Sequence, residues 1–229
     1  MKKTFLSLFI FLLSFSAFAC LNGETKELAN GLLIYHDDGE QSMPIGHEFM
    51  GANQKLLSEL DSLYQATKEV EYLSDKGYVL IELGKYAEAI RLYLDIERVH
   101  PNRYSTASNI GTAYELIGQN KEALKWIKKA IQIDPKSHEG SEWLHVKILE
   151  AKLKGDSAIN GSFLINTSFG EAPVPITGLS KDWLNILRYH LFYQLNERIS
   201  FVKPKDKIVA TLLFEFANIL LIQQDRENA

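Results

Sequence analysis

Residues 70–103, VEYLSDKGYVLIELGKYAEAIRLYLDIERVHPNR, and residues 104–137, YSTASNIGTAYELIGQNKEALKWIKKAIQIDPKS, decide the fold, because the second stretch repeats the first. Gly77, Gly84, Ala89 and Pro101 return as Gly111, Gly118, Ala123 and Pro135, each 34 residues later. A fixed period of this length belongs to stacked helical hairpins. The residues between the anchors agree with that reading. Val70 to Leu83 and Tyr104 to Ile117 carry apolar residues at helical spacing, among them Leu73, Leu80 and Ile81 in one and Ile110, Tyr114 and Ile117 in the other. Gly84 and Gly118 stand where each helix must stop, since glycine takes a left-handed C-cap without steric cost. A second helix follows each turn, Tyr86 to Val99 with Ala89, Ile90, Tyr93 and Ile96 on one face, and Lys121 to Ile133 with Ala123, Leu124, Ile127, Ala130 and Ile131. Pro101 and Pro135 close the units. The small residues at Gly77/Gly111 and Ala89/Ala123 imply that the two helices of a hairpin cross closely there.

With these residues in one register, the chain resembles the tetratricopeptide repeat family, of the bacterial exported type. Gly111, Tyr114, Ala123 and Pro135, and Gly77, Ala89, Tyr93 and Pro101, meet that family's spacing of Gly, Tyr, Ala, aromatic and Pro. Leu80 stands in place of the first tyrosine and Ile127 in place of the second-helix aromatic, both conservative for a buried seam. The resemblance covers residues 70–137. It implies an all-α, helical-hairpin solenoid, to which the flanking residues are expected to add an N-terminal capping helix, a long irregular loop and a C-terminal helical pair. It also implies protein binding rather than chemistry.

Outward from the repeats, Lys2 and Lys3 lead into an apolar run from Phe5 to Phe18, and Ala17-Phe18-Ala19 supplies a small-x-small cleavage site. Residues 1–19 therefore read as a secretory signal peptide, too short in its apolar run for a membrane span. Cys20, the single cysteine, follows the expected cut and cannot form an intramolecular disulfide. Either ordinary cleavage precedes it, which Ala17 in place of a leucine favours, or Cys20 carries a lipid as a lipoprotein N-terminus. The expected location is exported, periplasmic or cell-envelope associated, with a lipid anchor at Cys20 as the alternative. A net charge of −4 offers no basic excess for nucleic acid.

Residues 20–52 read as an N-terminal arm or short ribbon, with Leu32 to Tyr35 strand-like, Asp38-Gly39 as a turn and Gln41 to Ile45 as a weak return half containing Pro44. The helical domain spans 53–154. Its helix 53–68, with Leu56, Leu57, Leu60, Leu63 and Tyr64 on one side, caps the open end of the first repeat. Its helix 138–154 takes the first-helix place of a third repeat, where His145 replaces the register glycine and must loosen the packing. Residues 155–179 lose helical period and contain β-favouring clusters, either as a linker between helical lobes or as an ordered loop crossing the concave face. Ser180 is the expected N-cap of a helix carrying Trp183, Leu184, Leu187, Leu191, Phe192 and Leu195. A last helix, Ile208 to Gln223, is expected to lack its partner and leave an apolar stripe open, because Glu227-Asn228-Ala229 aligns with Ala87-Glu88-Ala89 and the repeat breaks off there. Residues 180–229 thus look like an incomplete repeat.

Chemistry-bearing constellations are thin. His36, Asp37, Asp38, Glu40 and His47 contain no His-x-x-x-His pair, His138, His145 and His190 are read as lying in different helices, and no Gly-rich phosphate loop occurs. No catalytic residue, metal ligand or cofactor is therefore assigned. The family's concave groove is lined by first helices, which places Glu71, Ser74, Tyr78 and Ile81, then Ser105, Ser108, Asn109, Thr112 and Glu115, then Glu139 and Glu142 on the partner-binding face. Asn109 matches an asparagine with which some members clamp a carboxylate terminus, but Glu139 and Glu142 stand where basic residues would be needed. The expected partner is a neutral or basic protein or peptide. The expected role is a non-catalytic scaffold in the envelope. The alternatives are an accessory enzyme using the 155–179 loop, or a truncated remnant of a longer repeat protein.

Overall fold

The structure, a computed structural model, describes residues 25–36, 43–202 and 205–223. The expected signal peptide 1–19, Cys20, the turn through Asp37, Asp38 and Glu40, and the closing Glu227-Asn228-Ala229 lie outside the described residues. Among the described residues a short ribbon, β1 (Thr25–Glu27) and β2 (Leu33–His36), precedes nine α-helices: α1 (Gln54–Thr67), α2 (Val70–Glu82), α3 (Tyr86–Val99), α4 (Tyr104–Leu116), α5 (Asn120–Ile133), α6 (Glu142–Lys154), α7 (Gly161–Leu164), α8 (Lys181–Phe201) and α9 (Lys207–Ile222). The fold is an all-α solenoid of packed helical hairpins, and the ribbon is the single strand pair among the described residues. The helices copy the sequence period. α2 and α4 begin and end 34 residues apart, and so do α3 and α5.

The glycines explain the close crossings. A Cβ on Gly77 would stand 2.4 Å from Cζ of the Tyr93 ring, and one on Gly111 would stand 2.5 Å from Cδ1 of Ile127. The second helix of each hairpin thus presses a side chain into the space that the glycine of the first leaves open. Gly84 and Gly118 end α2 and α4 in the left-handed conformation, at φ +72° and +77°. Asn53 caps α1 through the Leu56 N–H, Ser180 caps α8 through the Trp183 N–H, and Asp206 caps α9 through the Ile208 and Val209 N–H groups.

Four parts of the chain depart from the sequence reading. β2 forms where the strand was expected, but its antiparallel partner is β1, which precedes it, with Lys26 opposite Tyr35. Gly31 at φ +82° turns the chain between them, and Ile34 and Tyr35 are buried against the first repeat. The helix expected from 138 starts only at Glu142, because His138, Glu139 and Gly140 all take left-handed φ values of +51°, +54° and +76°. In 155–179 no strand forms. Instead Ala158, Leu164, Ile165 and Phe169 sink into a second apolar core with Leu144 and Ile148 of α6, Leu184, Leu187, Leu191 and Leu195 of α8, and Leu212, Phe216 and Ile219 of α9. This core covers the apolar stripe that α9 was expected to leave open. Phe214 remains half-exposed at its edge.

The first core gathers the ribbon and α1 to α4, and α6 joins the rest of the chain to it. Leu149 of α6 packs with Ala123 and Ile127 of α5, while Leu144 and Ile148 face the second core.

Candidate functional site

α4 lies beside α2 and is joined to α6 through Glu115 and His145, while α8 packs on α6 and reaches Glu115 with Arg198. Ser180 starts that helix on the second core, and its leucines at 184, 187, 191 and 195 keep it there. The alternation of those leucines with Gln194 and Arg198, four residues apart, gives its last two turns a second buried face, which is polar.

Arg198 meets Glu115 of α4 with both arms of its guanidinium, Nη1 to Oε1 at 2.8 Å and Nη2 to Oε2 at 3.1 Å. Two cations of α6 complete the shell of Glu115: Lys152 Nζ donates to Oε1 at 2.6 Å, and His145 Nε2 lies 2.7 Å from Oε2. Across His145, Nδ1 stands 3.7 Å from Oε2 of Glu142, whose other oxygen lies 2.5 Å from His138 Nδ1. The Tyr104 hydroxyl donates to Oε1 of Glu142 at 3.1 Å and lies 2.8 Å from His138 Nε2. A chain of alternating acids and bases therefore runs from Tyr104 to Arg198. Each carboxylate is engaged by its neighbours, and no group of three or more acidic, His or Cys side chains among the described residues is arranged to hold a metal.

Burial by itself would raise the pKa of Glu115, but Arg198, His145 and Lys152 outweigh it and hold the carboxyl well below its ordinary range. Glu142 is likewise depressed, burial being overcome by His138 and His145. Burial would lower His145, but its hydrogen bonds to Glu115 and Glu142 carry it up to about 8. Paired charges of this kind bring specificity of position more than net stability, because desolvation offsets most of the attraction.

The N-terminal arm straps α8 from the other side. Ile45 and Gly46 donate their backbone N–H groups to Oδ1 of Asn196, at 3.1 and 2.8 Å, and the His47 N–H reaches Ser200 Oγ at 2.8 Å. The His47 ring lies 2.7 Å from Glu197 through Nε2 and stacks on Tyr35 with centroids 4.0 Å apart. Phe49 meets Phe201.

The residues expected on an open groove are thus placed differently. Ser74, Tyr78, Ile81, Ser105, Ser108, Asn109, Glu115 and Glu142 are all buried. Asn109 serves the core: its Nδ2 donates to the Tyr93 hydroxyl at 2.8 Å, which in turn donates to the Ser74 carbonyl at 2.8 Å. Tyr78 lies under Lys26, whose Nζ is 5.5 Å from the ring centroid. Glu71 pairs with Arg103 at 3.1 Å, and Glu139 is exposed on the left-handed turn. Thr112 and Ser108 line a cavity of about 50 Å³ between α4 and α8, with Glu115, Gln194, Glu197 and Arg198 around it. That space suits one or two waters, so a partner's side chain does not enter while α8 is in place.

Sequence reasoning missed Gln194, Asn196 and Arg198 because polar residues beside a leucine stripe read as a solvated face. The signal that marks them is the length of α8, 21 residues with apolar and polar groups buried on different sides. It also set His138 and His145 apart, although one carboxylate, Glu142, gathers both.

Residues 104–137 match the family model of the tetratricopeptide repeat. No curated protein matches the chain. The match falls on α4 and α5, and α2 and α3 repeat their lengths, offsets and glycine-mediated crossing. Residues 104–137 are thus similar to a tetratricopeptide repeat, and residues 70–103 share that hairpin architecture within the same solenoid.

Proposed function

We propose that this protein is a non-catalytic, exported scaffold of the cell envelope, and that it takes a helix of its partner into the groove that α8 occupies. Protein binding is the general use of the repeat. The observation that carries the proposal further is the bidentate clasp of Arg198 by Glu115, in which the groove holds a helix by a basic side chain. A partner helix presenting an arginine or lysine at that place satisfies Glu115 as α8 does, which favours a neutral or basic partner and makes binding an exchange. Export rests on Lys2, Lys3, the apolar run and the Ala17-Phe18-Ala19 site, with lipid attachment at Cys20 as its variant. Fatty-acid labelling of the cells decides that variant.

The groove is tested with a labelled synthetic peptide of residues 188–202 as probe against the full-length protein. Arg198→Ala loosens the internal helix and leaves Glu115 available, so the peptide binds this variant more tightly than wild type. Adding Glu115→Gln abolishes the gain. Equal binding to all three proteins, with fold confirmed by circular dichroism, refutes the groove as the binding site.

A further inference from the structure

Near the N-terminal end of α8, remote in sequence from Arg198, an open pocket of about 290 Å³ lies between α6, α8 and the segment after α7. Ile165 and Leu187, both buried, contribute to its lining, together with two of the three tryptophans of the chain, Trp143 and Trp183. The polar edge of Trp143 is already engaged, since Nε1 donates to Nδ1 of His190 at 3.0 Å. Its indole therefore offers carbon surface to an occupant. Trp183 is 63 % exposed, so a large apolar ring faces water at the pocket's edge.

No charged side chain lines the pocket. His190 is its one titratable group, burial lowers that pKa, and its Nδ1 is engaged by Trp143. An ion entering here loses its water without gaining a counter-charge, so the occupant is neutral. The pocket is also not wholly apolar. Asn166 and Thr167 contribute an amide and a hydroxyl to the lining, Asn166 being exposed in the left-handed conformation at φ +56°. The backbone N–H groups of these two residues form no backbone hydrogen bond among the described residues. An aliphatic or aromatic peptide side chain covering them would leave these donors and acceptors unpaired, at a cost. A ring with a C–H face and a rim of hydroxyls, each both donor and acceptor, satisfies the indoles and the polar groups together.

We infer that the pocket between Trp143, Trp183 and Asn166-Thr167 binds a neutral saccharide, one pyranose ring resting against the tryptophans with its hydroxyls toward Asn166 and Thr167. The site is independent of the groove around Glu115. The test uses the full-length protein and a panel of neutral sugars, maltose, cellobiose and the disaccharide of N-acetylglucosamine, read by tryptophan fluorescence and saturation-transfer NMR. At least one sugar is expected to bind saturably at millimolar concentration or below. Trp183→Ala, at an exposed position that leaves the melting temperature unchanged, weakens that sugar at least tenfold, and Asn166→Ala with Thr167→Val weakens it further. Glucuronic acid, the charged counterpart, does not compete. The inference is overturned if no sugar of the panel binds, if Trp183→Ala binds as well as wild type, or if an uncharged aromatic dipeptide binds more tightly than every sugar. None of these results bears on the peptide experiment with Arg198→Ala, so the two sites stand or fall separately.

Discussion

Glu82, one helical turn after Tyr78 at the end of α2, is a carboxylate whose two oxygens are buried without a hydrogen-bond partner of normal geometry among the described residues. Burial pushes its pKa up to about 7 from the ordinary 4.5, against the pull of the Tyr78 hydroxyl, Lys26 and His47. The folded protein therefore holds this proton more tightly than the unfolded chain does. The charge of Glu82 costs nothing below pH 4.5, its penalty grows as pH rises, and it is complete above pH 7. At about 1.4 kcal/mol per unit, the penalty is roughly 1 kcal/mol at pH 5 and about 3 kcal/mol at pH 8. Glu82→Gln keeps the shape and removes the titration. Urea unfolding followed by circular dichroism at both pH values is expected to find the variant more stable than wild type by about 3 kcal/mol at pH 8 and by roughly 1 kcal/mol or less at pH 5. His145 titrates in the same range but is present in both proteins and cancels. A variant no more stable than wild type at pH 8, or a gain that does not change with pH, refutes the argument that an unsolvated carboxylate is stored at this position.

His145 has its folded pKa raised to about 8 from 6.5, so its contribution is fully present below pH 6.5 and is lost as pH rises through 8; the difference in melting temperature between wild type and His145→Gln should shrink over that window. Arg198→Met leaves Glu115 buried with two cations instead of three and is expected to cost about 3 kcal/mol in urea unfolding, the loss typical of a broken buried pair. Gly77→Ala sets a Cβ at 2.4 Å from the Tyr93 ring and should cost about 1–3 kcal/mol, whereas Gly178→Ala, with no atom within 4 Å, should change stability by less than about 0.5 kcal/mol. Asn53→Ala removes the cap that accepts the Leu56 N–H and should cost about 1 kcal/mol, measured in the same way.

The repeats were legible because their information is local. A glycine that must admit Tyr93 or Ile127, a glycine that must turn left-handed and a proline that must stop a helix each announce themselves within one hairpin. The contents of the groove were not legible for the opposite reason. Whether Glu115 faces a partner or the chain itself depends on Arg198, 83 residues away, and nothing in the local pattern of either residue distinguishes the cases. The ribbon failed in a smaller way. Ile34 and Tyr35 read correctly as strand residues, but Thr25-Lys26-Glu27 carries no β pattern and pairs because the turn at Gly31 brings it alongside. In 155–179, isolated apolar residues without a period gave no hint of direction, and only the second core shows that Leu164, Ile165 and Phe169 belong inside.

The strap of residues 45–47 across α8 joins positions 150 residues apart, as in the pairing of His47 with Glu197. Stacked hairpins ordinarily fold fast, since nearly every contact closes a short loop. Here the two ends of the solenoid must find each other after the hairpins exist, so the last step closes one of the longest loops in the chain and sets the pace. Because their contacts are local, the hairpins close before the strap does. For that interval the Glu115 face is open, and a molecule that occupies it then needs to displace nothing.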